Sequence, residues 1–78
     1  MEDLRKEIWN ENGTLKSFEC GLCRLERNKQ IPACARAYSQ YQLRQKSTRR
    51  EVWVWVCQNH FDIVESRDSP YEILRRLF

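Results

Sequence analysis

Two pairs of potential metal ligands occur at the same spacing in this 78-residue sequence. Two residues separate Cys20 from Cys23, and two residues separate Cys57 from His60. Thiolate and imidazole groups paired in this way supply four ligands in the tetrahedral arrangement that zinc prefers. The sequence therefore predicts a zinc site formed by Cys20, Cys23, Cys57 and His60.

Other uses of the cysteines compete with this interpretation. The four cysteines could form disulfides, or Cys20 and Cys23 could be a redox pair, although the βαβ pattern expected around such a pair is missing. Cys34 has no partner at the two-residue spacing and reads most simply as a small buried apolar residue. It could also replace His60 as the fourth ligand, which would free His60 to act as a general base.

Catalysis is poorly supported by the sequence. A catalytic zinc keeps one position open for water, whereas the two pairs together supply four protein ligands. His60 is the only histidine, and with only Gly13 and Gly21 the chain has no glycine-rich loop for phosphate. We therefore expect that the protein is not an enzyme and has no small-molecule substrate.

Length and composition favour a small domain that needs a metal. A chain of 78 residues buries too little apolar surface to be stabilised by its core alone, although 41% of its residues are hydrophobic. No apolar run approaches the roughly 20 residues that span a bilayer, and the charged N-terminus does not resemble a signal peptide. We expect a cytoplasmic protein with no membrane partner, in a compartment where thiols stay reduced.

Periodicity and turn residues predict the elements that position the ligands. A metal knuckle is expected around Cys20 and Cys23, with Gly21 allowing a tight turn. Alternating aromatic and β-branched residues predict a hairpin of strands 35–43 and 51–57, after which Asn59 could cap a helix. Helical spacing and helix-start signals further predict an N-terminal helix over 2–10 and a C-terminal helix over 70–78.

A knuckle, a hairpin and a helix whose first turn carries the last ligand together resemble the treble-clef zinc fingers. The resemblance covers Phe18 to Glu65 and is carried by the four ligand residues. It implies a zinc-stabilised α+β fold with a zinc-finger core of about 18–65. We expect residues 1–78 to form a single zinc-binding domain around that core.

The centre of the chain is strongly basic. Residues 24–50 contain eight lysines and arginines and a single acid, Glu26. Four of these cations cluster near the predicted hairpin turn, and such groups bind phosphates without regard to sequence: Arg44, Lys46, Arg49 and Arg50. Tyr38 and Tyr41 could stack on unpaired bases. We therefore expect a transcription-related or regulatory protein that binds nucleic acid (DNA or RNA). A solvent-exposed turn whose charges only keep the protein soluble would have the same sequence pattern.

The strand that follows the turn suggests a different partner. Trp53 and Trp55 alternate with valines, so both faces of this strand are apolar, which is typical of a strand buried on both sides. One face could therefore bind a partner or host protein, with the two tryptophans and the C-terminal helix as the contact surface of an adaptor or inhibitor. Alternatively, the N-terminal helix could cover that face with Trp9.

Overall fold

The computed structural model describes residues 1–26 and 34–77 of the chain. Within these ranges the elements, in order, are β1 (Glu2–Asp3), β2 (Lys6–Trp9), β3 (Leu15–Glu19), α1 (Gly21–Glu26), β4 (Ser39–Gln45), β5 (Glu51–Val56), α2 (Gln58–Val64) and β6 (Tyr71–Arg76). The expected α+β class is confirmed. Neither of the two described helices is long and apolar enough to cross a membrane.

Four of the strands form the main sheet, in the order β1-β5-β4-β6. The predicted hairpin is confirmed, because β4 and β5 pair antiparallel and Ser39 lies opposite Val56, but its first strand covers 39–45 and not 35–43. β1 pairs parallel with β5, and β6 pairs antiparallel with the other edge of β4. β2 and β3 form a separate two-stranded antiparallel ribbon.

The core lies on one face of the main sheet. The valines of β5 alternate along the strand and are fully buried, and their partners on β4 share the same face. Burying each large aliphatic side chain of this kind stabilises the fold by roughly 1.5–3 kcal/mol. The core residues of the two strands are Val52, Val54, Val56, Leu43 and Tyr41.

Helix α1 packs against this face through Gly21. A Cβ atom at this position would lie 2.6 Å from Cγ1 of Val54, so only glycine lets the helix approach β5 so closely. The predicted knuckle is therefore wrong in its backbone, because Cys20 directly precedes a helix and Cys23 lies within it. Gly21 is needed for close packing and not for a tight turn.

The predicted N-terminal helix over 2–10 is wrong. Residues 2–3 and 6–9 form β1 and β2, and β2 turns back into β3. The turn of this ribbon contains the Asn12-Gly13 pair, and Gly13 has a φ of 87°. Asn-Gly between two extended segments favours a hairpin, and pairing across it outweighs the weak helical spacing of Leu4 and Ile8.

The predicted C-terminal helix over 70–78 is also wrong, since residues 71–76 form β6. The hydroxyl of Ser69, expected to cap a helix, accepts a hydrogen bond from the Tyr71 amide at the start of the strand. Without β6 one edge of β4 would be unpaired, and pairing with that edge satisfies the backbone of 71–76 more fully than a short helix would.

Helix α2 is confirmed close to its expected position, and His60 lies in its first turn. The N-cap residue is Cys57, however, and Asn59 lies inside the helix. Outside the described ranges lie residues 27–33 of the basic centre and Phe78, the last residue of the predicted C-terminal helix.

Candidate metal centre

The fold brings the two ligand pairs to one point. Cys20 and Cys23 lie at the start of α1, while Cys57 and His60 lie at the junction of β5 and α2. Because α1 packs on β5, the N-terminal ends of α1 and α2 lie next to each other. One ligand atom from each of the four residues lies within 4.8 Å of the other three, so the structure contains a Cys3His cluster.

The distances within the cluster match the edges of a metal-centred tetrahedron. A zinc ion about 2.3 Å from each sulfur and about 2.0–2.1 Å from the nitrogen separates two sulfurs by about 3.8 Å and a sulfur from the nitrogen by about 3.6 Å. The sulfurs of Cys23 and Cys57 are 3.7 Å apart. Nδ1 of His60 lies 3.6, 3.3 and 3.6 Å from the sulfurs of Cys20, Cys23 and Cys57.

The four cysteines are free thiols, which argues against the disulfide alternative. The separation of 3.7 Å between Cys23 and Cys57 is far longer than the roughly 2.05 Å of a disulfide. Cys34 is half-buried and packs against the core, but it is not a member of the four-residue cluster. Among the described residues, His60 and not Cys34 provides the fourth ligand atom.

Backbone amides point at all three sulfurs of the cluster. The Cys20 sulfur accepts hydrogen bonds from the amides of Cys23, at 3.4 Å, and Cys57. The Cys34 amide donates to the Cys23 sulfur, and the His60 amide donates to the Cys57 sulfur. Amide donors stabilise the charged form of a sulfur, so the backbone is arranged for thiolates.

Burial works against that charge when no cation is present. It raises the pKa of the Cys20 thiol and, more weakly, that of Cys23. Burial also acts to raise the pKa of the Cys57 thiol, but hydrogen bonds to its sulfur, chiefly the one from the His60 amide, outweigh it and lower the pKa to about 7. Three thiolates in contact require a bound cation to offset their repulsion and desolvation.

The far side of the His60 ring is held by a carboxylate. Nε2 of His60 forms a hydrogen bond with Oε2 of Glu26, whose Oε1 accepts a hydrogen bond of 2.7 Å from the Tyr71 hydroxyl. A carboxylate at Nε2 fixes that nitrogen as the protonated one, which leaves Nδ1 free to bind a metal. Sequence reasoning missed Glu26 and Tyr71, although an isolated acid in a basic segment, three residues after Cys23, was the available signal.

Two of the four cations predicted to bind nucleic acid form ion pairs within the protein. Arg44 lies 3.0 Å from Glu72 and 3.8 Å from Glu51, on the strands either side of it. The Nε atom of Arg50 donates to Glu2 at 2.7 Å. These two arginines help to hold neighbouring strands together, and their charges are largely balanced.

The other two cations lie at the turn itself. Lys46 and Arg49 are exposed, and neither has a side-chain ion pair with another described residue. Arg49 has a φ of 59°, a left-handed backbone conformation that costs roughly 1–2 kcal/mol for a residue with a Cβ atom. The turn therefore places an arginine where glycine or asparagine would be more stable.

The two tryptophans of β5 lie on the sheet face opposite the core, and both rings have partners. The guanidinium of Arg5 stacks over Trp53, 3.4 Å from the ring centroid, and the indole nitrogen donates to Gln40. The ring of Trp55 stacks on Phe18 of β3, with centroids 4.0 Å apart. Both side chains are half-buried.

The alternative in which a helix bearing Trp9 covers this face is wrong. Trp9 lies in β2 and keeps 56% of its surface exposed. The cover over Trp53 and Trp55 instead comes from single side chains of the N-terminal segment and the ribbon.

Comparison with protein-family models, curated proteins and solved structures finds no match to this chain. The Cys3His cluster and its surroundings are therefore the observations on which a function can be built.

Proposed function

We propose that the protein is a non-catalytic binding domain stabilised by one zinc ion held by Cys20, Cys23, Cys57 and His60. The observation that carries this proposal is the closed tetrahedral arrangement of three sulfurs and one ring nitrogen. Three soft thiolates and an imidazole favour zinc over magnesium, calcium or manganese, which prefer oxygen ligands. Zinc bound there would neutralise the charge of the thiolates and cross-link the N-terminal ends of α1 and α2.

The same geometry argues against catalysis. Four protein ligands fill the tetrahedral shell and leave no position for an activated water. The single histidine has both ring nitrogens occupied, one facing the sulfurs and the other bonded to Glu26. It is therefore poorly placed to act as a general base.

The treble-clef resemblance is supported by the second half of the fold. The β4–β5 hairpin leads directly into α2, and the ligands Cys57 and His60 lie at that junction, as the resemblance implies. The first half differs, because α1 replaces the knuckle. We propose a treble-clef-like arrangement whose first ligand pair is carried by a helix.

Metal analysis tests the zinc proposal. Protein purified under reducing conditions should contain one zinc per chain, and Cys57→Ser should lower both the zinc content and the stability. Cys34→Ser is the matched control, because Cys34 lies next to the cluster without belonging to it, and it should retain full zinc content. Equal zinc loss in both variants would contradict the proposed ligand set.

For the partner, we propose a nucleic acid whose phosphates contact the β4–β5 turn. Lys46 and Arg49 support this because their charges are unpaired among the described residues. A backbone strain of the kind seen at Arg49 is tolerated when the side chain has a role that glycine could not fill. Arg44 and Arg50, by contrast, already have carboxylate partners, so we assign them a smaller contribution than the sequence suggested.

The salt dependence of nucleic-acid affinity distinguishes the contributions of Lys46 and Arg49 from those of Arg44 and Arg50. Affinity for a DNA or RNA oligonucleotide should fall steeply with added salt, and Lys46→Ala or Arg49→Ala should each reduce the slope of log affinity against log salt by about one. Arg44→Ala and Arg50→Ala remove the same charge and serve as matched controls, with a smaller effect on the slope. Equal effects of all four changes would point to net charge and not to a site at the turn.

The alternative of an adaptor anchored by Trp53 and Trp55 is less favoured. Both rings are stacked on Arg5 or Phe18, and the C-terminal helix on which this alternative relied is the strand β6. Capture of a protein from cell extract that does not depend on salt would favour the adaptor over nucleic-acid binding, if Trp55→Ala abolishes the capture and Arg49→Ala does not.

A further inference from the structure

An open cleft of about 560 Å³ lies beside the ribbon and extends to the tryptophan-bearing face of the main sheet. Its walls include the aromatic side chains of Trp9, Phe18 and Trp55. The stacked pair of Phe18 and Trp55 forms a fixed wall, whereas Trp9 is largely exposed. A cleft of this volume is large enough for a small ligand or the end of a partner's side chain.

Two acids and two cations line the cleft, and they differ in their ion pairs. Of the charged residues that line it, Arg5 binds both oxygens of Asp3, each at 2.9 Å, and Lys6 pairs with Glu19 at 3.4 Å. Glu7 also lines the cleft and has no ion pair with any described residue. Its position opposite Phe18 across the ribbon places its carboxylate on the aromatic side.

The protein already contains one receptor for a cation of this type. Arg5 lies 3.4 Å from the centroid of Trp53 and is held by the Asp3 carboxylate, so an aromatic face and a carboxylate bind the same guanidinium. Trp9 and Glu7 offer the same two groups a few residues away, and the Arg5 guanidinium acts on Glu7 through its charge without forming an ion pair with it. Cation–π attraction and a carboxylate together recognise a guanidinium or ammonium group.

We propose that this aromatic cleft binds a basic side chain, arginine or lysine, of a partner protein. The Glu7 carboxylate favours a cation over a phosphate, because it has no ion pair among the described residues, whereas Arg5 is bound to Asp3 and Lys6 shares Glu19 with Arg24. The site is separate from the proposed nucleic-acid contact. Arg50 and Trp55 are five positions apart along the extended chain, which corresponds to about 16 Å.

The proposal can be tested by NMR on the zinc-loaded, full-length protein with N-acetyl-arginine methylamide and N-acetyl-lysine methylamide as probes. The indole signals of Trp9 and Trp55 should shift and saturate, while N-acetyl-glutamate methylamide should produce no such shift. Trp9→Ala and Glu7→Gln should each weaken binding about threefold. Both residues are exposed, so these variants should keep the fold, which the remaining spectrum reports directly.

Glu11→Gln is the matched control, because Glu11 lies at the turn of the same ribbon, is exposed and does not line the cleft. The Glu11→Gln variant should bind the arginine and lysine probes as tightly as the unchanged protein does. Equal weakening by Glu11→Gln and Glu7→Gln would overturn the proposal, since it would show attraction by net charge. Absence of saturable shifts would also overturn it, as would saturation of the Trp9 and Trp55 signals by oligothymidylate, which would identify a base-binding cleft instead.

Discussion

Glu26 and His60 show how much a single contact determines at the metal centre. The Glu26 carboxylate binds Nε2 of His60, so the ring presents Nδ1 to the three sulfurs. The Tyr71 hydroxyl donates to the other carboxylate oxygen and links this contact to β6. The orientation of the one nitrogen ligand thus depends on residues from three different elements.

Replacing Glu26 should weaken zinc binding without removing a ligand. Glu26→Ala is expected to lower zinc affinity by about tenfold or more, because the His60 ring loses the group that fixes its orientation and protonation. Glu26→Gln should retain part of that affinity, since its amide oxygen can still accept the Nε2 hydrogen. Competition with a chromophoric chelator measures the affinity.

Asp62→Asn is the control for this measurement, because Asp62 is an exposed acid of the same helix as His60 that bonds only to Gln58 among the described residues. Its zinc affinity should equal that of the unchanged protein. If Glu26→Ala bound zinc as tightly as Asp62→Asn, the orienting role of Glu26 would be wrong.

We expect a substitution at Arg49 to change stability and nucleic-acid binding in opposite directions. Arg49→Gly should raise the free energy of unfolding by up to about 1 kcal/mol, because glycine adopts a positive φ without the Cβ penalty. The same change should weaken nucleic-acid binding. Chemical denaturation of the zinc-loaded protein and an oligonucleotide titration measure the two effects, and a loss of stability in Arg49→Gly would contradict the assigned strain.

At the scale of elements, a helix or strand whose sequence pattern lies within one continuous segment was easier to predict than one that depends on a distant partner. The β4–β5 hairpin and α2 could be predicted because their patterns are strong and continuous: β-branched and aromatic residues fill 52–56, and helical spacing follows directly after Cys57. The segments 2–10 and 71–76 are short and carry both helical and extended patterns. β1 and β6 pair with β5 and β4, which lie far away in the sequence, whereas β2 pairs with the adjacent β3 across an Asn-Gly turn, which is a local signal.

The contact of α1 with β5 can be tested through Gly21 and Val54. Gly21→Ala should destabilise the zinc-loaded protein by about 1–3 kcal/mol, because the new Cβ would overlap the Val54 side chain. In a Val54→Ala background the same change should cost much less, because Cγ1 of Val54 is gone. A double-mutant cycle of unfolding free energies measures the difference.

Additive effects in that cycle would show that Gly21 is needed for another reason, such as the backbone conformation at the start of α1. Gly13→Ala supplies an independent comparison, since no atom lies within 4 Å of a Cβ there but φ is 87°. Its cost should arise from backbone strain alone and should not depend on Val54.

At the scale of the whole molecule, the Cys3His cluster lies between α1 and the junction of β5 and α2, and both helices pack on only one face of the main sheet. α1 and α2 cover the valine face of the sheet, while the opposite face is covered by single side chains of the N-terminal segment and ribbon. The ligand residues could be predicted from spacing alone, because two residues between ligands is a local feature. Glu26 could not, since it meets His60 across 34 positions of sequence.

A chain of this size with a one-sided core should depend on its metal to fold. The most direct test is a titration of the reduced, metal-free protein with cobalt(II), followed by absorption and NMR. We predict little fixed tertiary structure before addition, then the spectrum of a tetrahedral cobalt site with three thiolates at one equivalent, together with dispersed NMR signals. A metal-free chain that is already fully folded, or a cobalt spectrum that is not tetrahedral, would contradict the zinc-stabilised Cys3His fold.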